Sequence, residues 1–130
     1  MELDEGTLAF AGRMFDLARN GVDDALAEQL DAGLPVNLTN DKGDTLLLLA
    51  AYHQHAATVR ALLERGADTA RVNDRGQTAL AAALFRRSGE IVSDLLAAGA
   101  DPDAGSPSAR ETAVFFELTD MSDLLPPRQA

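Results

Sequence analysis

The sequence predicts an all-α fold, a solenoid of stacked helix-turn-helix units with short hairpin-like turns. The first observation behind this prediction is composition: 24 Ala and 20 Leu account for 44 of the 130 residues, and both are strong helix formers. The second is the scarcity of large rings, with five Phe, one Tyr and no Trp, which favours a core of closely packed helices. The third is a sequence period, visible in the equal spacing of Gly33, Gly66 and Gly99.

The period extends well beyond these glycines. When residues 40–72 are laid over residues 73–105 without a gap, 12 of the 33 positions are identical, whereas chance gives about two or three. We therefore interpret the chain as a single domain, residues 1–130, with about four units. They are an N-terminal cap repeat at 7–39, full repeats at 40–72 and 73–105, and a truncated C-terminal cap repeat at 106–125.

Each full repeat begins with a turn that leads into a short helix. The segments Asn40–Gly43 and Asn73–Gly76 are turn sequences, in which glycine is free to adopt a positive φ. Thr45 and Thr78 then precede apolar runs, where a threonine hydroxyl can accept a hydrogen bond from a free N–H group in the first turn of a helix. We therefore expect one short helix after each threonine.

The second helix of each full repeat has an apolar stripe and a glycine stop. Apolar residues recur at the i, i+3, i+4 spacing that buries one side of a helix. The stripe residues are Val59, Leu62 and Leu63 in one repeat and Val92, Leu95 and Leu96 in the next. Gly66 and Gly99 follow, and we expect them to end these helices in the left-handed conformation.

Together these segments resemble the ankyrin repeat family. The resemblance is carried by the turn-and-helix sequences DKGDTLLLLAA (Asp41–Ala51) and DRGQTALAAA (Asp74–Ala83), and by the helix endings LLERGAD (Leu62–Asp68) and LLAAGAD (Leu95–Asp101). The spacing of the three glycines also equals the repeat length of the family. The resemblance is strongest over residues 40–105, about half of the chain, and implies a protein-binding module.

The chain departs from the family pattern at two kinds of position. Apolar residues stand where the family has Pro and His, so these repeats are expected to depend more on apolar packing. They are Leu46 and Leu48 in one repeat and Ala79 and Ala81 in the next. Gln54 and Arg87 replace the glycine usual between the two helices, and we expect an irregular start of the following helix near Ser88–Gly89.

Charge, cysteine content and hydropathy exclude several classes of protein. With 11 basic and 21 acidic residues, the formal charge of −10 argues against binding to nucleic acid or to an anionic membrane. The absence of cysteine excludes disulfides, thiolate catalysis and thiolate zinc sites. The longest apolar run, Leu46–Tyr52, is too short to span a membrane, and the acidic start Met1–Glu5 is unlike a secretory signal. We therefore expect a cytoplasmic protein.

The sequence contains no pattern that indicates catalysis, a cofactor or a metal ion. His53 and His55 are two positions apart, so on a helix they point in different directions and do not share a metal. The resemblance implies a structural role for His55. Neither a nucleophile elbow nor a phosphate-binding glycine loop is present, and the pair Asp23–Asp24 suits the start of a helix. We predict a protein that is not an enzyme and takes no cofactor.

Stacked repeats form an extended concave surface, and the resemblance implies that partners bind there, at the turn tips and the exposed side of the first helices. Tyr52 and Phe85 are equivalent residues of consecutive repeats, and an aromatic pair beside His53 and Arg86 has the composition of an interface hot spot. The predicted partner-binding residues are Asp41, Lys42, Asp44, Asp74, Arg75 and Gln77 at the tips, and Tyr52, His53, Phe85 and Arg86 on the helices.

Residues 71–87 contain four Arg and one acidic residue, so this stretch has a charge of +3 within an acidic chain. Two interpretations stay open, a solvated face or a docking point for an acidic segment of a partner. Phe85 likewise is either half-buried packing or an exposed contact residue.

The C-terminal cap repeat carries Thr112 and Val114 one residue out of register, and apolar side chains follow them. We expect a compact cap in which these apolar side chains point inward. The alternative is an exposed apolar end that docks a partner or a second copy of the chain. The apolar residues are Phe115, Phe116, Met121, Leu124 and Leu125.

The function predicted from these observations is a non-enzymatic, monomeric module that binds a partner protein of unknown identity through its concave face. One alternative is an accessory factor that stabilises a particular enzyme. The resemblance implies it, because small stand-alone bacterial ankyrin proteins look like this chain and some are associated with oxidative-stress enzymes such as catalases. A second alternative is a homo-oligomer that assembles through the C-terminal cap repeat.

Overall fold

The computed structural model describes residues 4–128, which fold into eight α-helices and no strand. The helices are α1 (Glu5–Asn20), α2 (Asp23–Asp31), α3 (Leu46–Tyr52), α4 (Ala56–Glu64), α5 (Ala79–Phe85), α6 (Gly89–Ala97), α7 (Ala109–Phe115) and α8 (Thr119–Ser122). The paired, all-α architecture predicted from the sequence is confirmed. Within this range, no helix combines the length and hydropathy that crossing a membrane requires.

The helices form two layers, because each packs on its partner in the pair and on the equivalent helix of the next pair. The inner helices α1, α3, α5 and α7 make one layer, and α2, α4 and α6 lie in the other. α3 and α5 are packed on both sides, so Leu46–Ala51 and Ala79–Leu84 are buried throughout. Small Ala side chains let the helices approach closely, and the Ala/Leu excess becomes one continuous core.

The short helices of the two full repeats begin at the caps that the sequence predicts. The hydroxyl of Thr45 accepts a hydrogen bond from the N–H group of Leu48 at 3.0 Å. The hydroxyl of Thr78 accepts one from Ala81 at 3.1 Å. Each threonine therefore satisfies a donor that the start of its helix would otherwise leave free.

The start of α7 corrects the register proposed around Thr112. Ser108 caps this helix, because its hydroxyl accepts from the Glu111 N–H while the Glu111 carboxylate accepts from the Ser108 N–H. This capping box satisfies two donors at once. Thr112 instead lies buried inside α7 and donates its hydroxyl to the Ser108 carbonyl at 2.8 Å. The repeat before α7 is therefore shorter than the period, since Ser108 and not Thr112 takes the place of Thr78.

A left-handed residue separates the two helices of every pair. In the first pair it is Gly21, with φ of 69°. In the other three pairs it is Gln54, Arg87 and Glu117, with φ of 66°, 60° and 55°. Residues with a Cβ atom adopt such angles at a cost in free energy, so the backbone is strained at these three loops.

The outer helices α4 and α6 start and stop alike. α6 begins at Gly89, in register with Ala56 at the start of α4, so the irregular start expected near Ser88–Gly89 is wrong. Gly66 and Gly99 follow these helices with φ of 84° and 95°, which confirms the predicted left-handed stops.

The last helix pair is a less complete cap than expected. Met121 and Leu125 are buried, as a compact cap requires. Phe115, Phe116 and Leu124 are exposed, so the prediction that they point inward is wrong. The physical reason is position: Phe115 is in register with Phe85, which is itself exposed, and none of the described residues packs on the last pair as a further repeat.

Candidate partner-binding groove

A groove of about 650 Å³ runs between the turn tips and the C-terminal ends of α3 and α5. Eight of the ten sequence-predicted residues line it: Lys42, Asp44, Tyr52, His53, Asp74, Arg75, Gln77 and Phe85. Asp41 and Arg86 lie outside its lining. Residues selected from two separate stretches of sequence thus share one surface.

Two asparagines shape the turn tips. The Oδ1 atom of Asn73 accepts hydrogen bonds from the backbone N–H groups of Arg75 and Gln77, at 3.0 and 2.9 Å. Asn40 forms the equivalent pair of bonds one repeat earlier, at 2.9 Å each. Such hydrogen bonds fix the backbone conformation of the turn, so they also fix the positions from which the tip side chains extend.

The two tips are also joined to each other. The Nδ2 atom of Asn73 donates to Oδ1 of Asp44 and to Oε1 of Gln77, both at 2.8 Å. The N–H group of Asp74 donates to the Lys42 carbonyl at 3.0 Å. Asp44 and Gln77 therefore use their side chains to hold the tips together, whereas those of Lys42 and Asp74 are exposed.

The opposite wall of the groove is aromatic. Tyr52 and Phe85 are the last residues of α3 and α5, and Phe116, directly after α7, adds a third ring. Phe85 and Phe116 meet edge to face, with 5.1 Å between their ring centroids. Phe85 is 45% exposed, so both interpretations of it hold in part: it packs on Phe116 and also presents surface to the groove.

Two neighbours hold the ring of Tyr52. The guanidinium carbon of Arg86 lies 5.1 Å from the ring centroid, which is a cation–π distance. The ring of His53 contacts Tyr52 edge-on, with 5.1 Å between centroids. Arg86 therefore acts on the groove through Tyr52 and not by lining it.

The two histidines have separate roles. Partial desolvation, followed by electrostatic interaction with His55, Arg19 and Arg86, lowers the pKa of His53 below its usual value. The Nε2 atom of His55 lies 2.7 Å from the Arg19 carbonyl oxygen and ties the first two helix pairs together. The structural role expected for His55 is therefore confirmed. Across residues 4–128 there is no group of three metal-binding side chains.

The charge around the groove is balanced. Of the four arginines in residues 71–87, Arg71 pairs with Asp68 at 3.3 Å and Arg87 with Asp120 at 2.6 Å. These ion pairs neutralise much of the +3 charge and favour the solvated interpretation of that stretch. The groove lining has two basic residues, Lys42 and Arg75, and two acidic ones, Asp44 and Asp74.

Sequence reasoning missed the floor and the far end of the groove. These additional lining residues are Leu48, Leu49, Asn73, Ala81, Ala82, Pro107, Thr112 and Phe116. The far end has a signal in the sequence, the Ser-x-x-Glu capping box of Ser108–Glu111. That box sets the register in which Phe115 and Phe116 align with Phe85 and Arg86. The floor residues have no signal that separates them from ordinary core.

Two comparisons with known proteins show what the chain is similar to. A family model described as "Ankyrin repeats (3 copies)" matches residues 14–106, well over half of the chain. A Pseudomonas aeruginosa protein named as an ankyrin repeat protein, PA3287, is 56% identical to this chain over 59 residues. That match covers 45% of this chain and 34% of the relative, so the chain spans about a third of the length of the relative it matches.

Proposed function

This chain belongs to the ankyrin repeat family, whose repeats are generally protein–protein interaction modules, and we propose that it is a non-enzymatic module that binds a partner protein in the groove. The proposed contact residues are the eight sequence-predicted residues that line the groove, together with Phe116, while Arg86 supports Tyr52 and Asp41 lies outside the groove. The cytoplasmic location and the monomeric state expected from the sequence stay predictions.

The observation that carries the proposal is the contrast between the two walls of the groove. One wall is aromatic and partly exposed, with Tyr52, Phe85 and Phe116, and such rings are the usual anchors of an interface. The other wall is polar and is held in place by the hydrogen bonds of Asn73. Because these side chains are ordered before a partner arrives, binding costs less conformational entropy.

The balanced charge of the groove bears on the chemistry of the partner. Lys42 and Arg75 are offset by Asp44 and Asp74, so the lining offers little net attraction to an acidic segment. We therefore propose that apolar or aromatic side chains of the partner dock against the aromatic wall, while its polar groups face the tips.

Ankyrin repeat proteins are typically non-enzymatic, and some carboxyl groups of this chain are also unsuited to acid catalysis. Hydrogen bonds from arginine side chains lower the pKa of three of them, those of Asp31, Asp103 and Asp120. A general acid needs a raised pKa, so these three groups do not suit that role.

A quantitative capture experiment tests the groove. We compare proteins retained by the native chain with those retained by the variant Tyr52→Ala/Phe85→Ala/Arg86→Glu. We expect the variant to lose a direct partner by at least about tenfold, because it removes two anchors and the cation that holds one of them. Circular dichroism checks that the variant is folded.

A matched control uses the same kinds of side chain away from the groove. Leu8 and Val22 are exposed apolar residues, and Arg13 lies 5.7 Å from the ring centroid of Phe10. The variant Leu8→Ala/Val22→Ala/Arg13→Glu should retain the partner. If the groove variant keeps every partner that the native chain retains, the proposed surface is wrong.

A further inference from the structure

The last helix pair exposes an apolar position that the earlier repeats bury. This position is Val114, which is 73% exposed; beside it Phe115 is 80% exposed, but its equivalent Phe85 is also exposed. Val114 is in register with Leu84 of α5 and Ala51 of α3, and both of these are fully buried because the following repeat packs on them. The last helix pair therefore presents a stacking surface on which none of the described residues packs as a further repeat.

A shallow cleft of about 520 Å³ lies at this position. It is lined by Ala113, Val114, Glu117, Thr119 and Ser122, and we call it the end-face cleft. Its lining combines apolar surface with one carboxylate. This cleft shares no lining residue with the partner-binding groove, and Phe115 lies between the two surfaces, since its ring centroid is 4.8 Å from that of the groove residue Phe116.

The boundary between the third and fourth helix pairs indicates what such a cleft holds. There, Met121 and Leu124 pack beside Gly89 of α6. Arg87 reaches across the same boundary and donates a hydrogen bond to Asp120 at 2.6 Å. The boundary therefore joins apolar packing to one pair of opposite charges.

The charge at the end-face cleft is reversed relative to that boundary. Glu117 stands where Arg87 stands in the third repeat, since each is the left-handed residue between the two helices of its pair. Within residues 4–128 Glu117 makes no ion pair. An element that packs on the cleft therefore needs a cation where α8 has Asp120.

A second copy of the chain does not meet this requirement. A copy stacked as a further repeat would place Asp24 at the position of Asp120, because each is the second residue of its outer helix. Asp24 would then face Glu117, which is a like-charge contact. The segment 1–33 of such a copy also carries eight acidic and two basic side chains. Charge complementarity favours a cationic partner.

We propose that the end-face cleft docks an amphipathic helix of a partner protein that carries Lys or Arg. Apolar side chains of this helix cover Val114 and Phe115, and a Lys or Arg pairs with Glu117. This interaction goes beyond the proposed function of the groove, because it uses a different surface and a partner of different charge.

Binding of two designed peptides to the full chain tests the proposal. The first probe is an amphipathic helical peptide of Leu and Lys, and the second replaces each Lys with Glu. By titration calorimetry at about 150 mM salt, where distant charges are screened, the native chain should bind the Leu/Lys peptide and not the Leu/Glu peptide. Val114→Ser/Phe115→Ser and Glu117→Lys should each weaken Leu/Lys binding by about tenfold or more, and Glu117→Lys should gain binding of the Leu/Glu peptide.

Two controls locate the binding. Glu28→Lys makes the same change in net charge on exposed α2, and Tyr52→Ala/Phe85→Ala/Arg86→Glu removes the groove, so both should bind the Leu/Lys peptide as the native chain does. If Glu28→Lys weakens binding of the Leu/Lys peptide as much as Glu117→Lys does, the attraction is non-specific and the proposal is overturned. Loss in the groove variant alone would assign the peptide to the groove and overturn it too. Light scattering tests for a second copy as the occupant. If the native chain is a dimer and Val114→Ser/Phe115→Ser is a monomer, a second copy occupies the cleft and the proposal is overturned.

Discussion

Asn73 donates a hydrogen bond to Asp44 of the preceding repeat, with 2.8 Å between Nδ2 and Oδ1. The same side chain also accepts the N–H groups of Arg75 and Gln77 through its Oδ1 atom. One buried amide therefore shapes a turn tip and ties it to its neighbour. The polar wall of the groove depends on this residue.

We expect Asn73→Ala to lower the free energy of unfolding by about 2–3 kcal/mol, because it leaves backbone N–H groups of a partly buried turn without their acceptor. Urea denaturation measures the change. Asn73→Asp keeps the acceptor but places a second carboxylate beside Asp44. This variant should therefore lose more of its free energy of unfolding at pH 7 than at pH 4. A change below about 0.5 kcal/mol in Asn73→Ala would contradict this role.

Thr58 and Thr78 are both buried threonines, but their hydroxyl groups differ. Among the described residues the Thr58 hydroxyl has no hydrogen-bond partner, whereas the Thr78 hydroxyl caps α5. We expect Thr58→Val to stabilise the protein by about 1 kcal/mol, since it removes an unsatisfied buried polar group. Thr78→Val should destabilise it by about 1 kcal/mol through loss of the cap. Thermal and urea unfolding compare the two, and a destabilised Thr58→Val would refute the first expectation.

Glu117 offers a test of backbone strain. Its φ of 55° is unfavourable for a residue with a Cβ atom, so Glu117→Gly should raise the free energy of unfolding by about 0.5–1 kcal/mol. Glu28→Gly changes the same residue type in the middle of α2 and should lower it by about 0.5–1 kcal/mol. Denaturant midpoints of the two variants should shift in opposite directions, and a shared direction would rule out strain as the cause.

The ion pair between Arg87 and Asp120 predicts a dependence of stability on pH. The hydrogen bond from Arg87 holds the pKa of Asp120 below its ordinary value of 3.8. A carboxyl group whose pKa is lower in the folded state contributes stability above its unfolded pKa, and this contribution disappears as the pH falls through the folded value. Asp120→Asn should therefore lower the melting temperature slightly at pH 7, and this difference should shrink as the pH falls below 3.8 and through the folded pKa of Asp120.

The pair is exposed, so we expect the difference at pH 7 to shrink in 1 M salt. Asp123→Asn is the control, because Asp123 lies in the same repeat, is exposed and makes no ion pair within the described residues. If the difference in melting temperature between Asp120→Asn and the native chain is the same at pH 7 and at pH 2, the ion pair is excluded as its source.

The local elements of the fold follow from short-range patterns. Thr45 and Thr78 cap α3 and α5, because each accepts a hydrogen bond from a backbone group three residues away. Gly66 and Gly99 act equally locally, since they adopt the left-handed conformation directly after α4 and α6. The start of α7 departs from the period for a reason of the same kind. Thr112 lies one residue from the place that the period gives a capping threonine, but the capping box of Ser108 satisfies more donors and fixes the helix start.

The sequence predicts the groove in part, because its aromatic wall is formed by residues at equivalent positions of successive repeats. Tyr52 and Phe85 occupy the same place in successive repeats, so a stack brings them to one side. The roles of Asp44 and Gln77 cannot be predicted from the repeat pattern. Both side chains accept hydrogen bonds from Asn73, and the bond to Asp44 joins two repeats. The +3 charge of residues 71–87 does not predict a docking point either. Arg87 pairs with Asp120 across the boundary between the third and fourth helix pairs, and the sequence of one repeat does not show this.

By itself, the sequence determined the repeat, the helix pairs and the family, because these depend on residue types at fixed spacing along the chain. The tertiary structure alone decided which surfaces stay open. Leu84 and Val114 are equivalent apolar residues, yet one is fully buried and the other is 73% exposed. The difference is whether another repeat packs on them, and contacts between successive repeats are not encoded in any local pattern.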